Sequence, residues 1–344
     1  MRKSMLLRAN KPVAAVMIYM VMEAGSSILG ASYIDDVSLI EMEWRSSTPL
    51  PIPSPPEHFQ VGAPRGVTAA GLLVQQHWCV AGQVCDTDLH QFHMHNYFLT
   101  ASAIPKTGDV TLVTQLSPDR LHRIQQLARV WKGPISAAVY VGRNTYGGVL
   151  KILSLWGASE HVRTHVDVHL VSIAPIGHRS AAAATTNNDD DNDNKKKKKH
   201  EEMTPYPINA LRNLAWQYAR TNQLFLLDVD FIPNPDMREY VVDLWPKLRA
   251  VKGLEKSVYV IPGFESFQSL KQWPRTRADV FDMAKTKFIL QPVHADKLAS
   301  AHAAVDYERW YETTNPYRIN YRLYFEPYLL VDRTTTPQYD SRFR

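Results

Sequence analysis

The chain has 344 residues, 45% hydrophobic and 21% charged, which excludes a wholly disordered protein; two Cys exclude a disulfide-stapled scaffold. The net charge of +5 is local. Arg2, Lys3, Arg8 and Lys11 and the run 187–199, with four Asp and five Lys, account for all of it, and the neutral remainder argues against a nucleic-acid binder with a basic face.

After the basic first residues, 13–34 (VAAVMIYMVMEAGSSILGASYI) are mostly apolar and then give way to Asp35, Asp36, Glu41 and Glu43. A helix of that length spans a bilayer, and the charge asymmetry favours a cytoplasmic N-terminus. Residues 1–34 are therefore expected to form a cytoplasmic tail and signal-anchor; a cleaved signal peptide and a buried helix are the alternatives. Six of the 22 prolines fall in 48–64, and 35–108 reads as a stem or linker. Within it, Asp86, Asp88, His90, His93 and His95 show no fixed zinc spacing, and Cys79 and Cys85 are equally readable as a pair or as buried thiols.

From Asp109 the pattern becomes regular. Val110–Thr114 is a β-branched strand, Ser117-Pro118 an N-cap with proline at the first helical position, and Leu121, Ile124, Ala128 and Trp131 follow at helical spacing. Gly133-Pro134 ends that helix. Strands are expected at 135–141 and 166–173, with a helix at 146–156. Residues 178–204 contain AAAATTNNDDDNDNKKKKK, opposite-charge blocks with no packing face, and read as a disordered insertion. Pro207 opens a helix carrying Ile208, Leu211, Leu214 and Tyr218 on one face. A strand over 224–230, a helix over 236–248 and a strand over 257–261 complete the rhythm. Alternating strands and helices predict an α/β fold, a mostly parallel sheet with helices on both faces, whose ligands bind at the carboxyl ends of the strands.

The chemistry-bearing segment is LFLLDVD (224–230). Unbroken apolar residues suit a strand buried on both faces, and two carboxylates, Asp228 and Asp230, follow abruptly. On an extended chain residues i and i+2 share a side, so the pair is expected to approach one hard cation that neutralises a departing diphosphate. The competing reading is turn-forming Asp residues bonded to nearby backbone. Asp86–Asp88, Asp189–Asp191 and Asp191–Asp193 have the same spacing, but only Asp228–Asp230 follows a buried-strand signature.

Several blocks together carry a resemblance. VTLVTQLSPDRL (110–121) with WKGPISAAVYV (131–141), YPINALRNLA (206–215), LFLLDVDFIP (224–233), VIPGFES (260–266), NPYRINYRLYFEPYLL (315–330) and PQYDSRF (337–343) stand in order and resemble glycosyltransferase family 49, which includes β-1,4-glucuronyltransferases. The resemblance covers 109–344 apart from the insertion. It implies a GT-A-type Rossmann-like mixed sheet, a UDP-sugar donor, Mn²⁺, inversion at the anomeric carbon, and a type II Golgi membrane protein, with secretion as the alternative. Asp228 and Asp230 match the family's metal- and diphosphate-binding pair. Members continue past the YDxxF block into a Gly-rich segment and a late histidine, whereas this chain ends at Arg344; a third metal ligand and part of the donor pocket are therefore expected to be absent.

An inverting transferase also needs a base for the acceptor hydroxyl. Glu265 follows the strand at 257–261, Glu326 lies in an apolar run that would raise its pKa, and Asp340 lies in the acceptor-side block; each is a candidate, and each also reads as a structural charge. Arg212 and Asn213 sit on the helix leading to the DxD segment, with Arg212 either a fork donor to the diphosphate or the partner of a nearby acid. Gln115 and Ser117 follow the first strand, where a uridine would lodge. The leading reading is a metal-dependent inverting glycosyltransferase moving a sugar, glucuronic acid by resemblance, from a UDP-sugar to a glycan or glycoprotein acceptor. The alternative is a catalytically impaired relative that binds glycan or nucleotide. A metal-dependent phosphodiesterase ranks last, for want of further His and Asp ligands.

Overall fold

The structure is a computed structural model that describes residues 14–15, 20–22, 92–142, 145–172, 206–250, 257–296, 298–313 and 317–340. The expected insertion, the two Cys and most of the expected stem lie outside the described residues. So does most of the apolar stretch at 13–34. The parts of it that are described, β1 (Ala14–Ala15) and β2 (Met20–Met22), are strands rather than helix. Among the described residues no helix is long and apolar enough to cross a membrane.

The main sheet is built from β4 (Val110–Leu116), β5 (Ile135–Gly142), β6 (Val166–Ser172) and β7 (Gln223–Leu226). These four run parallel in the order β7-β4-β5-β6. β12 (Tyr328–Asp332) pairs antiparallel with β7 on one side and with β9 (Tyr259–Ile261) beyond it, while β3 (His93–Leu99) closes the other edge antiparallel to β6. β1 pairs parallel with β9 at the far edge. Most strands thus point one way, as the alternating pattern predicts. β3 departs from the expectation of a stem: Tyr97 and Phe98 are buried, and that apolar content carries the segment into the sheet.

Helices cover both faces. α1 (Leu121–Trp131), α2 (Thr145–Ala158), α3 (Glu160–His165) and α5 (Met237–Arg249) pack on the face that carries Leu112, Val139, Phe225 and Leu227. Among the described helices, α4 (Ile208–Gln217) covers the face that carries Val113, Ala138, Leu224 and Leu226. The apolar residues of β7 therefore alternate between two cores, which is why the sequence shows an unbroken run there. A smaller four-stranded sheet, β11-β10-β2-β8, contains β8 (Ile232–Pro233), β10 (Gly263–Ser266) and β11 (Leu290–Pro292). It packs with α6 (Arg277–Phe281) and α7 (Tyr307–Glu312) around Phe264 and Trp310.

Two local expectations are corrected. Ser117 does not cap a helix with its side chain; a 3₁₀ turn at Pro118–Arg120 intervenes before α1, and the Ser117 hydroxyl donates to Asp119 instead. The strand expected over 224–230 ends at Leu226, because the backbone turns at Asp228, whose carbonyl accepts from the Phe231 N–H at 3.1 Å. Asp228 and Asp230 thus lie in a turn, and the extended i, i+2 register does not apply to them.

Candidate functional site

The parallel strands β4 and β7 end side by side, and β12, running the other way, begins at the same edge. α4 runs back against β4 and β5, so its first turns also reach that edge. Three segments therefore converge on the DxD turn: the 3₁₀ turn after β4, the entry to β12, and the start of α4.

Each Asp of the pair is held by arginine. Arg212 on α4 donates from Nη2 to Asp228 Oδ1 at 3.0 Å. Arg120, on the other side of the turn, donates from Nη1 to Asp230 Oδ1 at 2.7 Å, and Arg123 Nε approaches the same oxygen at 3.7 Å. Both carboxylates use Oδ1 for these contacts. Asp228 leans toward the helix covering one face of the sheet, and Asp230 toward the helix covering the other. Burial works against the charge on Arg212, but Asp228 and Tyr339 more than offset it and push its pKa up. The Arg212 guanidinium lies over the Tyr339 ring, 5.2 Å from its centroid.

At the entry to β12, Glu326 is anchored by its backbone N–H, which donates to Ala301 O at 2.8 Å. Burial raises its carboxyl pKa and the Asp228 charge adds to the rise, with His294 and Arg212 opposing. Tyr328 follows, its phenol pKa pushed well up by burial and by Asp228 and Glu326. His302 stacks on Tyr328, with ring centroids 5.6 Å apart and planes at 16°, and on His294 at 5.7 Å. Burial and His294 hold the His302 pKa down to about 3, so the ring is neutral at physiological pH.

The other candidates fall in different places. Gln115 is buried at the end of β4, where its Oε1 accepts from the Tyr206 hydroxyl. Asn213 is buried and spends its amide on Tyr339: Nδ2 donates to Tyr339 O at 2.7 Å, and Oδ1 accepts from Tyr339 N–H at 2.9 Å. The backbone carbonyl of Asp340 accepts from Asn209 Nδ2 at 3.2 Å. Glu265 belongs to β10 of the smaller sheet, where Oε1 accepts from Gln291 Nε2 at 2.6 Å. Of the three base candidates, Glu326 shares an electrostatic neighbourhood with Asp228. The residues that sequence reasoning missed are Arg120, Arg123, Tyr328, Tyr339 and His302. Arg120 stood in the SPDRL block, but reading that block as a cap hid its charge. Tyr328 and Tyr339 stood inside the blocks at 315–330 and 337–343 without being singled out, and nothing in the sequence places His302 beside β12.

The donor set suits a hard cation. Two carboxylates are hard oxygen donors, and Mg²⁺-like ions bind through one or two such groups together with substrate phosphates and water. Among the described residues no group of three or more His, Cys, Asp or Glu is arranged to hold a metal by itself.

A mostly parallel sheet thus carries paired acids at its carboxyl edge, where α/β folds bind their ligands. The family described as "Glycosyl-transferase for dystroglycan" matches residues 109–344. The chain belongs to that glycosyltransferase family. It is 31% identical over 256 residues to the xylosyl- and glucuronyltransferase LARGE1 of Danio rerio, covering 72% of this chain and 29% of that one. It is 28% identical over 290 residues to LARGE2 of Rattus norvegicus, covering 84% and 37%. It is 29% identical over 235 residues to the glycosyltransferase-like protein gnt14 of Dictyostelium discoideum, covering 68% and 32%. The chain thus spans about a third of the length of these curated relatives.

Proposed function

We propose that this chain transfers a sugar, with inversion, from a UDP-sugar to a glycan or glycoprotein acceptor, and that glucuronic acid is the sugar. The observation that carries the reading is the pair of arginine-oriented carboxylates, Asp228 and Asp230, beside a third carboxylate, Glu326, of raised pKa. The name of the LARGE relatives, xylosyl- and glucuronyltransferase, supports the choice of sugar.

In this reading Asp228 and Asp230 would hold Mn²⁺. The ion would neutralise charge on the departing UDP. Arg120 and Arg212 fix the two carboxylates before any ligand arrives. Glu326 takes the proton of the acceptor hydroxyl as that oxygen bonds to the anomeric carbon. Burial and the Asp228 charge raise its pKa, which makes it a stronger base than an ordinary carboxylate. Gln115, at the end of β4, lines the place for the uridine.

The protein acts in the Golgi. The basic residues before the apolar stretch at 13–34, and the acids after it, support secretory targeting, while the pairing of 14–15 and 20–22 in the two sheets argues against a bilayer-spanning helix there. A donor screen read by UDP release tests the catalytic reading. Mn²⁺-dependent release from UDP-glucuronic acid supports it. UDP binding without release from any donor would favour a relative that binds but does not turn over.

A further inference from the structure

We propose that Tyr339 is a positioning residue of the donor site: its ring holds Arg212 against Asp228, and Asn213 latches Tyr339 in place. This rests on the reading of Asp228 as a cation ligand.

The latch is specific. Both polar atoms of the Asn213 amide bond to the backbone of a single residue: Nδ2 donates to Tyr339 O at 2.7 Å, and Oδ1 accepts from Tyr339 N–H at 2.9 Å. A side-chain amide thereby pairs with Tyr339 as a neighbouring strand would. One turn earlier on α4, Asn209 donates to Asp340 O at 3.2 Å. Residues 339–340 are thus strapped along the helix that carries Arg212. Adjacent residues on a helix point about 100° apart. The strap bonded to Asn213 therefore runs beside Arg212 and brings the Tyr339 ring to 5.2 Å from the guanidinium carbon.

The ring has a defined task there. A free arginine side chain samples many rotamers, and holding one costs entropy. Packed over an aromatic face, the guanidinium is confined and attracted by the ring quadrupole. Its Nη2 then bonds Asp228 Oδ1 at 3.0 Å and fixes the orientation of that carboxylate. Groups that orient a ligating carboxylate from behind commonly set metal affinity. Asn213, read from sequence as a donor-binding candidate, acts in this account one step behind the ligand. Tyr339 was not singled out by the sequence at all.

The test uses the full chain with Tyr339→Leu, Tyr339→Phe and Asn213→Ala. Mn²⁺ binding in the presence of UDP is followed by water-proton relaxation, and Arg212 mobility in metal-free protein by arginine side-chain NMR. The Leu variant is expected to raise the Mn²⁺ concentration at half-saturation about tenfold. The Phe variant, which keeps the ring, should stay within about twofold of wild type. Melting temperatures of the Leu and Phe variants should agree within about 3 °C, which separates positioning from general packing. Asn213→Ala should loosen Arg212 as the Leu variant does, and it serves if the Leu variant does not fold. The inference is overturned if Arg212 stays as immobile in the Leu variant as in wild type, or if half-saturation does not move. If wild-type protein binds no Mn²⁺ with UDP, the functional reading fails, and Arg212 mobility alone then decides the role of Tyr339.

Discussion

The end of the sheet opposite the site rests on a buried ion pair whose removal has a calculable effect. Asp109, just before β4, is 4% exposed. Arg238, in the first turn of α5, grips it with two bonds, Nε to Oδ1 at 2.9 Å and Nη2 to Oδ2 at 2.7 Å. Oδ1 also accepts from the Val110 N–H at 2.8 Å, and Arg238 Nη1 reaches Lys132 O at 3.3 Å. Gly133 makes room for this fork, since a Cβ there would overlap Arg238 Nε. Arg238→Ala strands a carboxylate in a dry environment, which costs about 3–5 kcal/mol. A domain's whole stability is about 5–15 kcal/mol, so the loss is a large fraction of it. For a domain of this size it lowers the melting temperature by about 10 °C. Urea denaturation with a linear extrapolation measures it. Arg238→Lys should fall between, because it keeps the charge and loses the fork. Asp109→Asn with Arg238→Gln should cost less than Arg238→Ala alone, because no charge remains to be stranded. UDP affinity should not move in any of them, since the pair lies at the amino end of β4. A loss below about 1 kcal/mol for Arg238→Ala, in the range of an exposed pair, would refute the reasoning.

Acid should destabilise the fold before it protonates ordinary carboxylates. His169 and His302 have pKa values held down to about 3 by burial, so below 6.5 the unfolded chain takes up protons that the native state refuses. Asp167, pushed up to about 6 by burial against the opposing pull of Arg220, works the other way between pH 6 and 3.8. Two imidazoles outweigh one carboxylate, and by pH 4.5 the net loss is about 3 kcal/mol; a flat stability between pH 6.5 and 4.5 would contradict the two buried neutral rings. Glu326→Gln should lower kcat by about a hundredfold or more with little change in KM. Because burial and Asp228 raise the Glu326 pKa, the acid limb of the wild-type pH–rate profile should lie above the usual carboxylate range, and the Gln variant should lack that limb. Gly133→Ala should destabilise through displacement of Arg238, again without effect on UDP binding.

The core of the fold was legible because its signals are local. The β-branched run from Val110, the helical spacing through Trp131 and the apolar run at 224–227 each report burial along their own segment. β12 and β3 were missed because each pairs at distance: β12 inserts between β7 and β9, and β3 joins β6 from a segment that reads as linker. The two acids of the site announced themselves by their abrupt position after that apolar run. Their geometry did not, since the turn at Asp228 replaces the extended register that the spacing suggested. Residues that act on them from elsewhere in the chain were the hardest to read. Arg120 is 110 positions from Asp230, and Tyr339 is 126 from Asn213. No periodicity joins such pairs; only the packing of α1 and α4 on opposite faces of one sheet does.

Replacing Asp228 or Asp230 by Asn in the full chain, and measuring UDP release from UDP-glucuronic acid with Mn²⁺ and a glycan acceptor, tests the central claim most directly. The account predicts that each variant loses turnover by about a hundredfold or more. Each should keep a melting temperature within a few degrees of wild type, since neither carboxylate is part of the core. Wild-type turnover in either variant, or full turnover of the unaltered chain after removal of divalent cations, would contradict it.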